Sequence, residues 1–279
     1  MIKVCLTHDV DRIRKTYHYL TKPYGALRTG NVSLFIKRAF SIFRFRNPYW
    51  GFDVIIDIEN QYQVKSTFFF LNESIKLDYF HLKKWPLALG RYSFSETRVQ
   101  DMIRYLDRNG WEVGLHGSFD SYMDYDLLSK EKRELEEILE HPVIGIRQHH
   151  LNRNKYTWAY QQCAGFLYDS SYGSNDDWGF VCGHFFPLKE KEFCEIPMII
   201  MDFTFMKDEN RWDEFSKVLD IMEEKNEYLV INFHTNVFDE LDSPHYKESY
   251  IRLIELLQEK NAQFVTMREA YQEILNKKK

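Results

Sequence analysis

The chain has 279 residues, 44% of them hydrophobic, with 37 Lys and Arg against 42 Asp and Glu and a formal net charge of −5. That is enough apolar sequence for a large folded core, which excludes a disordered chain, and the slight acidic excess offers no general basic field for nucleic acid. Cys5, Cys163, Cys182 and Cys194 have no CxxC spacing, so neither a disulfide framework nor a cysteine zinc knuckle is expected, and they read as mostly buried thiols in a reducing compartment.

The first strand, "IKVCLT", begins almost at Met1, so no secretory leader is expected. No apolar run approaches the ~20 residues of a membrane span, and a cytoplasmic protein is expected. A long insertion follows, roughly residues 17–64, whose first half mixes Phe, Ile, Arg and Lys at helical spacing. Such a helix suits the outer wall of the fold, with peripheral membrane or partner contact as the other reading.

Next come strand "KSTFFFL" and helix "SETRVQDMIRYLDRNG", with Ser95 as N-cap and Gly110 as its stop. Strand "WEVGLH", helix "LSKEKRELEEILEH", and strands "VIGIRQ", "FLYDSS" and "EIPMIIMDF" follow. Helix "RWDEFSKVLDIMEEKN", strand "YLVINFH", helix "YKESYIRLIELLQEKN", strand "AQFVTM" and helix "MREAYQEILNKKK" complete the chain. Eight strands alternating with helices over ~250 residues have the rhythm of a TIM-like (β/α) barrel, with a doubly wound open sheet as the alternative. With no linker, repeat or low-complexity tract, residues 1–279 read as a single α/β domain carrying the 17–64 helical insertion. Aromatic residues in "NPYWGFD", "SSYGSNDDWGF" and "CGHFFP" suit either sugar stacking or a core.

In a parallel barrel, reactive groups gather at the C-terminal ends of the strands. Here four strands end in polar clusters: His8, Asp9 and Asp11; His116 and Asp120; Arg147, His149 and His150; and His234. Histidine with carboxylate and no cysteine favours zinc or another divalent first-row metal, and an Asp/His set with one open position is the catalytic form. Hydrolysis also needs a base and an acid, roles open to an unligated carboxylate such as Asp9 and to His234.

Together these residues resemble the polysaccharide deacetylases of the NodB-homology type, carbohydrate esterase family 4, over nearly the whole chain and in the family's motif order. "THDVD" stands for Thr-Phe-Asp-Asp-Gly, in a variant Asp-x-Asp form that implies Asp9 as base and Asp11 as metal ligand. "LHGSFDS" stands for His-(Ser/Thr)-x-x-His, with His116 matching the first ligand and Asp120 in place of the second histidine. "RQHH" stands for Arg-x-Pro-Tyr, so Arg147 would orient the base and His150 would replace the tyrosine whose backbone N–H holds the oxyanion. "INFH" stands for Leu-x-His and implies His234 as general acid, while "YDSSYG" and "EIPMIIMDFT" match the remaining segments weakly.

The resemblance implies a distorted barrel, a divalent ion such as Zn2+, and removal of an acetyl group, N- or O-linked, from a sugar or glycan. Because Asp120 departs from the family pattern, the third ligand is either Asp120 or His149. The substitution also motivates a catalytically silent carbohydrate-binding barrel, and barrels of this type host amidases of small C–N substrates as well. A reducing setting suits a nucleotide- or lipid-linked glycan precursor. His8 gains no catalytic role and reads as structural.

Overall fold

A computed structural model describes residues 2–43, 47–75, 80, 85–180, 187–190 and 192–276. Its strands are β1 (Lys3–Val10), β2 (Thr67–Leu71), β3 (Glu112–Gly117), β4 (Gly145–Gln148), β5 (Tyr168–Asp169), β6 (Leu188–Glu190), β7 (Phe193–Glu195), β8 (Met198–Met201), β9 (Tyr228–Asn232) and β10 (Gln263–Phe264). They form one sheet in the order β6-β7-β5-β4-β3-β2-β1-β9-β8. All pairings are parallel except β6 with β7.

Curling of this sheet rests on the expected strand "EIPMIIMDF", which divides in two. Only Ile196-Pro197 separates β7 from β8, and β7 bonds to β5 while β8 bonds to β9. Proline has no N–H to give a ladder, which accounts for the break. The covalent chain thus carries the wall from one end of the sheet to the other, giving the distorted TIM-like barrel. The expected eighth strand, "AQFVTM", shrinks to β10, which lies off the main path against Lys3 and Val4. Strand β6, "LKE", is not buried and carries no apolar run that would mark it in the sequence.

The insertion after β1 is helical: α1 (His18–Arg28), α2 (Val32–Phe40) and α3 (Phe52–Gln61). Beyond it come α4 (Trp85–Ala88), α5 (Thr97–Arg108), α6 (Tyr125–Leu139), α7 (Thr157–Cys163), α8 (Asp202–Lys207), α9 (Arg211–Lys225), α10 (Tyr246–Glu259) and α11 (Met267–Asn276). The cap of α5 is Glu96 rather than Ser95. Its carboxylate accepts the Ser93 N–H at 3.1 Å and pairs with Arg14, which fixes the start one residue later. Gly110, at φ +88°, ends that helix in the left-handed conformation glycine adopts without strain. Helix α6 starts earlier than its apolar repeat suggested, because Asp124 accepts the Leu127 N–H at 3.0 Å.

Side chains alternate across each strand, and two apolar clusters follow from that alternation. Val4, Leu6, Val10, Phe68, Phe70, Leu229 and Ile231 face outward into a layer shared with the helices. Cys5, Phe69, Tyr168 and Val230 face inward, where Met267, Ala270, Tyr271 and Ile274 of α11 join them. Such an enclosed second core belongs to a barrel and not to an open sheet. Cys5 and Cys194 are buried, Cys163 is exposed, and Cys182 lies outside the described residues. Tyr49, Trp50, Phe52 and Trp178 are core residues, so these aromatics pack inside the protein and are not free to stack on a ligand. The segment "CGHFF" lies outside the described residues. Among those described, no helix is long and apolar enough to cross a membrane.

Candidate metal centre and catalytic cleft

Thr7, Asp9 and Asp11 are spaced two apart, so the β1 alternation that turns Cys5 inward carries all three toward the barrel axis. His8 points the other way. Its Nδ1 meets the Phe233 carbonyl at 2.7 Å, and its Nε2 lies 2.9 Å from Glu59 Oε1 and 3.2 Å from the Tyr250 hydroxyl. Fully buried and partnered at both nitrogens, His8 belongs to a structural polar cluster behind the sheet.

Arg147 on β4 is also fully buried. Its Nη1 lies 2.9 Å from each of Asp9 Oδ1, Thr7 Oγ1 and Asn232 Oδ1, while Nε and Nη2 donate to the Ser170 carbonyl and hydroxyl at 3.0 Å. Asn232 Nδ2 donates to the other Asp9 oxygen at 3.0 Å. Burial alone would favour neutral Asp9, but Arg147, with His116 and His234, outweighs it and holds the carboxyl below its ordinary pKa. Asp9 is therefore ionised and fixed in orientation at neutral pH.

His116, the penultimate residue of β3, pairs directly with Arg147. Its Nδ1 donates to the Arg147 carbonyl at 2.9 Å, which leaves Nε2 free to act as a ligand atom, 3.2 Å from Asp11 Oδ1. His149 is the first residue beyond β4, and the two residues after it are left-handed, His150 at φ 57° and Leu151 at φ 55°. Two consecutive non-glycine residues there cost about 1–2 kcal/mol each, a strain that turns the chain sharply just after His149. His149 Nε2 then lies 3.6 Å from Asp11 Oδ2, and its Nδ1 approaches Glu73 Oε2 at 3.4 Å.

One ligand atom from each of Asp11, His116 and His149 falls within 4.8 Å of the others, and no other such group occurs among the described residues. Asp11 Oδ1 is buried without a hydrogen-bond partner. A buried carboxylate oxygen without a partner, with His116 Nε2 beside it and His149 Nε2 beside the other oxygen of the same carboxylate, fits a divalent cation, so the residues present suit one. Asp120 is outside the group. It sits in a turn four residues beyond His116, where its carbonyl accepts the Met123 N–H at 3.1 Å. Of the two alternatives for a third ligand, His149 is the one brought to Asp11.

His234 lies just past β9. Its Nδ1 is 3.0 and 3.1 Å from the two oxygens of buried Asp202, which also accepts the His234 backbone N–H at 2.8 Å. Burial disfavours the imidazolium, but Asp202, with Asp11 and Asp9, overrides it and pushes the pKa up to about 10. Asp9, Asp11, His116, His149, His150 and His234 line one cleft of about 100 Å3, with Leu151, Met201 and Phe203 as apolar walls. His150 contributes from the rim: its carbonyl accepts from Asn175 at 2.9 Å, and burial, then His149, lowers its ring pKa to about 4. A larger cavity of about 600 Å3 lies on the other side of Glu73.

Glu73 and Asp202 were not singled out from the sequence. Glu73 accepts the Phe119 and Ile75 N–H groups at 3.1 Å, and burial is outweighed by His149 and these donors, so its pKa is lowered. Both follow the ends of apolar strands, Glu73 after "TFFFL" and Asp202 after "MIIM". The strand-end criterion that found Asp9 would have found them too had it not been tied to histidine.

No family model matches the sequence, and no curated protein matches it. Solved structures do match. A protein assigned as a polysaccharide deacetylase from Mycobacterium smegmatis is similar over 99% of this chain and 90% of its own, with TM-score 0.60 and 19% identity. One assigned likewise from Pseudomonas aeruginosa covers 99% and 91%, with TM-score 0.61 and 12% identity. The allantoinase PuuE covers 97% and 89%, with TM-score 0.60 and 14% identity. The chain therefore has the polysaccharide-deacetylase fold, a distorted barrel that an allantoinase shares.

Proposed function

We propose that this protein is a metal-dependent hydrolase of the polysaccharide-deacetylase type, which removes an acetyl group from a sugar of a glycan or glycan precursor. The carrying observation is that an ionised carboxylate (Asp9), a three-residue ligand group (Asp11, His116, His149) and a protonated histidine (His234) share one small cleft. An ion held by that group, with the Asp/His/His set pointing to zinc, supplies Lewis acidity that polarises the acyl carbonyl and acidifies water.

The protein's own groups account for the proton traffic. Asp9, oriented by Arg147 and Asn232, takes the proton of the attacking water as the new C–O bond forms. The backbone N–H of His150 donates to the developing oxyanion. His234 delivers its Nε2 proton to the departing nitrogen as the C–N bond breaks, leaving acetate and a free amine, and Asp202 holds the ring in place. For an O-acetyl substrate the leaving oxygen takes that proton. The cleft accommodates an acetyl group rather than a whole sugar ring, with Leu151, Met201 and Phe203 around the methyl.

The test is acetate release by the purified chain with added zinc or cobalt from chitin oligomers, peptidoglycan fragments and acetylated xylan. No release from any of them, with Asp9→Asn indistinguishable from the parent protein, would sink the proposal. The fold shared with an allantoinase favours a second reading, an amidase of a small ureide. Hydrolysis of allantoin without acetate release would select it.

A further inference from the structure

We propose that the α1–α2 hairpin is a docking surface for an anionic lipid bilayer. Residues 12–52 contain nine Lys and Arg and no Asp or Glu, in a chain whose formal charge is −5. Within that basic stretch, α2 buries none of its residues although six of its nine are apolar. An amphipathic helix normally hides its apolar stripe against the core, but here Leu34, Phe35 and Ala39 are only half-buried, and Val32, Ile36 and Phe40 stay exposed among the described residues.

The exposed apolar side chains are ordered. On α1, Leu20, Tyr24 and Leu27 are 76%, 63% and 49% exposed at spacings of four and three, one helical face. On α2, Val32, Ile36 and Phe40 are 57%, 47% and 65% exposed at spacings of four. Ile42 and Phe43 extend the surface, with the Phe43 ring 6.1 Å from that of Phe40. Eight of the fourteen large apolar side chains exposed among the described residues fall between positions 20 and 43. Scattered exposed leucines are ordinary, but a concentration on two adjoining helices marks an interaction site.

The hairpin is held firmly in this pose. Buried Lys15 pairs with Asp242 at 2.8 Å, and Arg38 donates to the carbonyls of Leu241, Lys22 and Asp242 at 3.1 to 3.4 Å. Arg38 is thus used as a tether, while Arg28 and Lys37 stay exposed. Both attachments belong to the cleft-bearing end of the barrel, since α1 begins seven residues after Asp11 and Asp242 follows the strand that delivers His234. Bulky aliphatic and aromatic groups bordered by exposed Arg28 and Lys37, on two helices that contain no acid, are complementary to anionic headgroups over acyl chains. A second copy of the same face would instead bring like charges together.

Flotation of the full chain, without substrate, tests the proposal with phosphatidylcholine vesicles and with vesicles containing 30 mol% phosphatidylglycerol. Partitioning is expected to be at least tenfold stronger on the anionic vesicles and to weaken severalfold on raising NaCl to 0.5 M. Leu20→Ser, Ile36→Ser and Phe40→Ser combined should lower it at least tenfold with an unchanged thermal melt, since these side chains are exposed. Arg28→Glu with Lys37→Glu should abolish the preference for anionic vesicles, each basic residue accounting for about fivefold. Failure to bind either vesicle, or equal binding to both, overturns the proposal. So does sedimentation as a dimer that the triple substitution dissociates, which would make the face a protein interface.

Discussion

Replacing Asp202 by Asn tests the assignment of His234 as a proton donor. The amide oxygen introduced by D202N could still accept the His234 backbone N–H, so the local fold should survive while the charge beside the ring is lost. The ring's shift from 6.5 to about 10 amounts to about 5 kcal/mol favouring the imidazolium, an upper figure for a ring whose side chain stays 15% exposed. Asp202 is the foremost attractive cause, so D202N should return the pKa toward 6.5. A ring titrating near 7 would be only about a tenth protonated at pH 8, an activity loss of roughly tenfold relative to pH 6. Because the folded pKa is raised, this pair stabilises the protein fully below about 6.5 and loses its contribution as pH rises through about 10. The thermal midpoint of the parent protein should therefore fall more between pH 7 and 10 than that of D202N. Ring titration by NMR on metal-free protein reads the pKa directly. A parent His234 titrating below 7.5, or an unmoved ring in D202N, would refute the reasoning.

Three further outcomes follow from the cleft. His116→Ala or His149→Ala should abolish zinc binding in calorimetry, whereas Asp120→Ala should change affinity by less than about twofold, as expected for a residue outside the ligand group. Glu73→Gln should weaken zinc about 10- to 100-fold through loss of the carboxylate behind the His149 ring, with melting nearly unchanged. Asp9→Asn should reduce acetate release by about 10²- to 10⁴-fold while leaving zinc affinity within severalfold, a split that a ligand role for Asp9 would not produce.

The barrel was legible in the chain because strand alternation and helical period are local properties. "KVCLTHDV" shows its inward set, Cys5, Thr7 and Asp9, by spacing alone, and Gly110 marks a helix end by backbone freedom alone. The polar strand ends were legible for the same reason, since parallel strands deliver their C-terminal residues to one face. Selection among those residues depended on how loops fold. Asp120 and His149 both follow strands within a few residues, yet the turn beyond β3 keeps Asp120 out of the group, and the left-handed pair after β4 sets His149 beside Asp11. The partners of His149 and His234 come from positions 76 and 32 residues distant in the chain, Glu73 and Asp202, and no local period relates such pairs. Division of "EIPMIIMDF" at Pro197 likewise needed both neighbouring strands, because a proline tolerated at a junction cannot be told from a strand breaker until its hydrogen-bond partners are known.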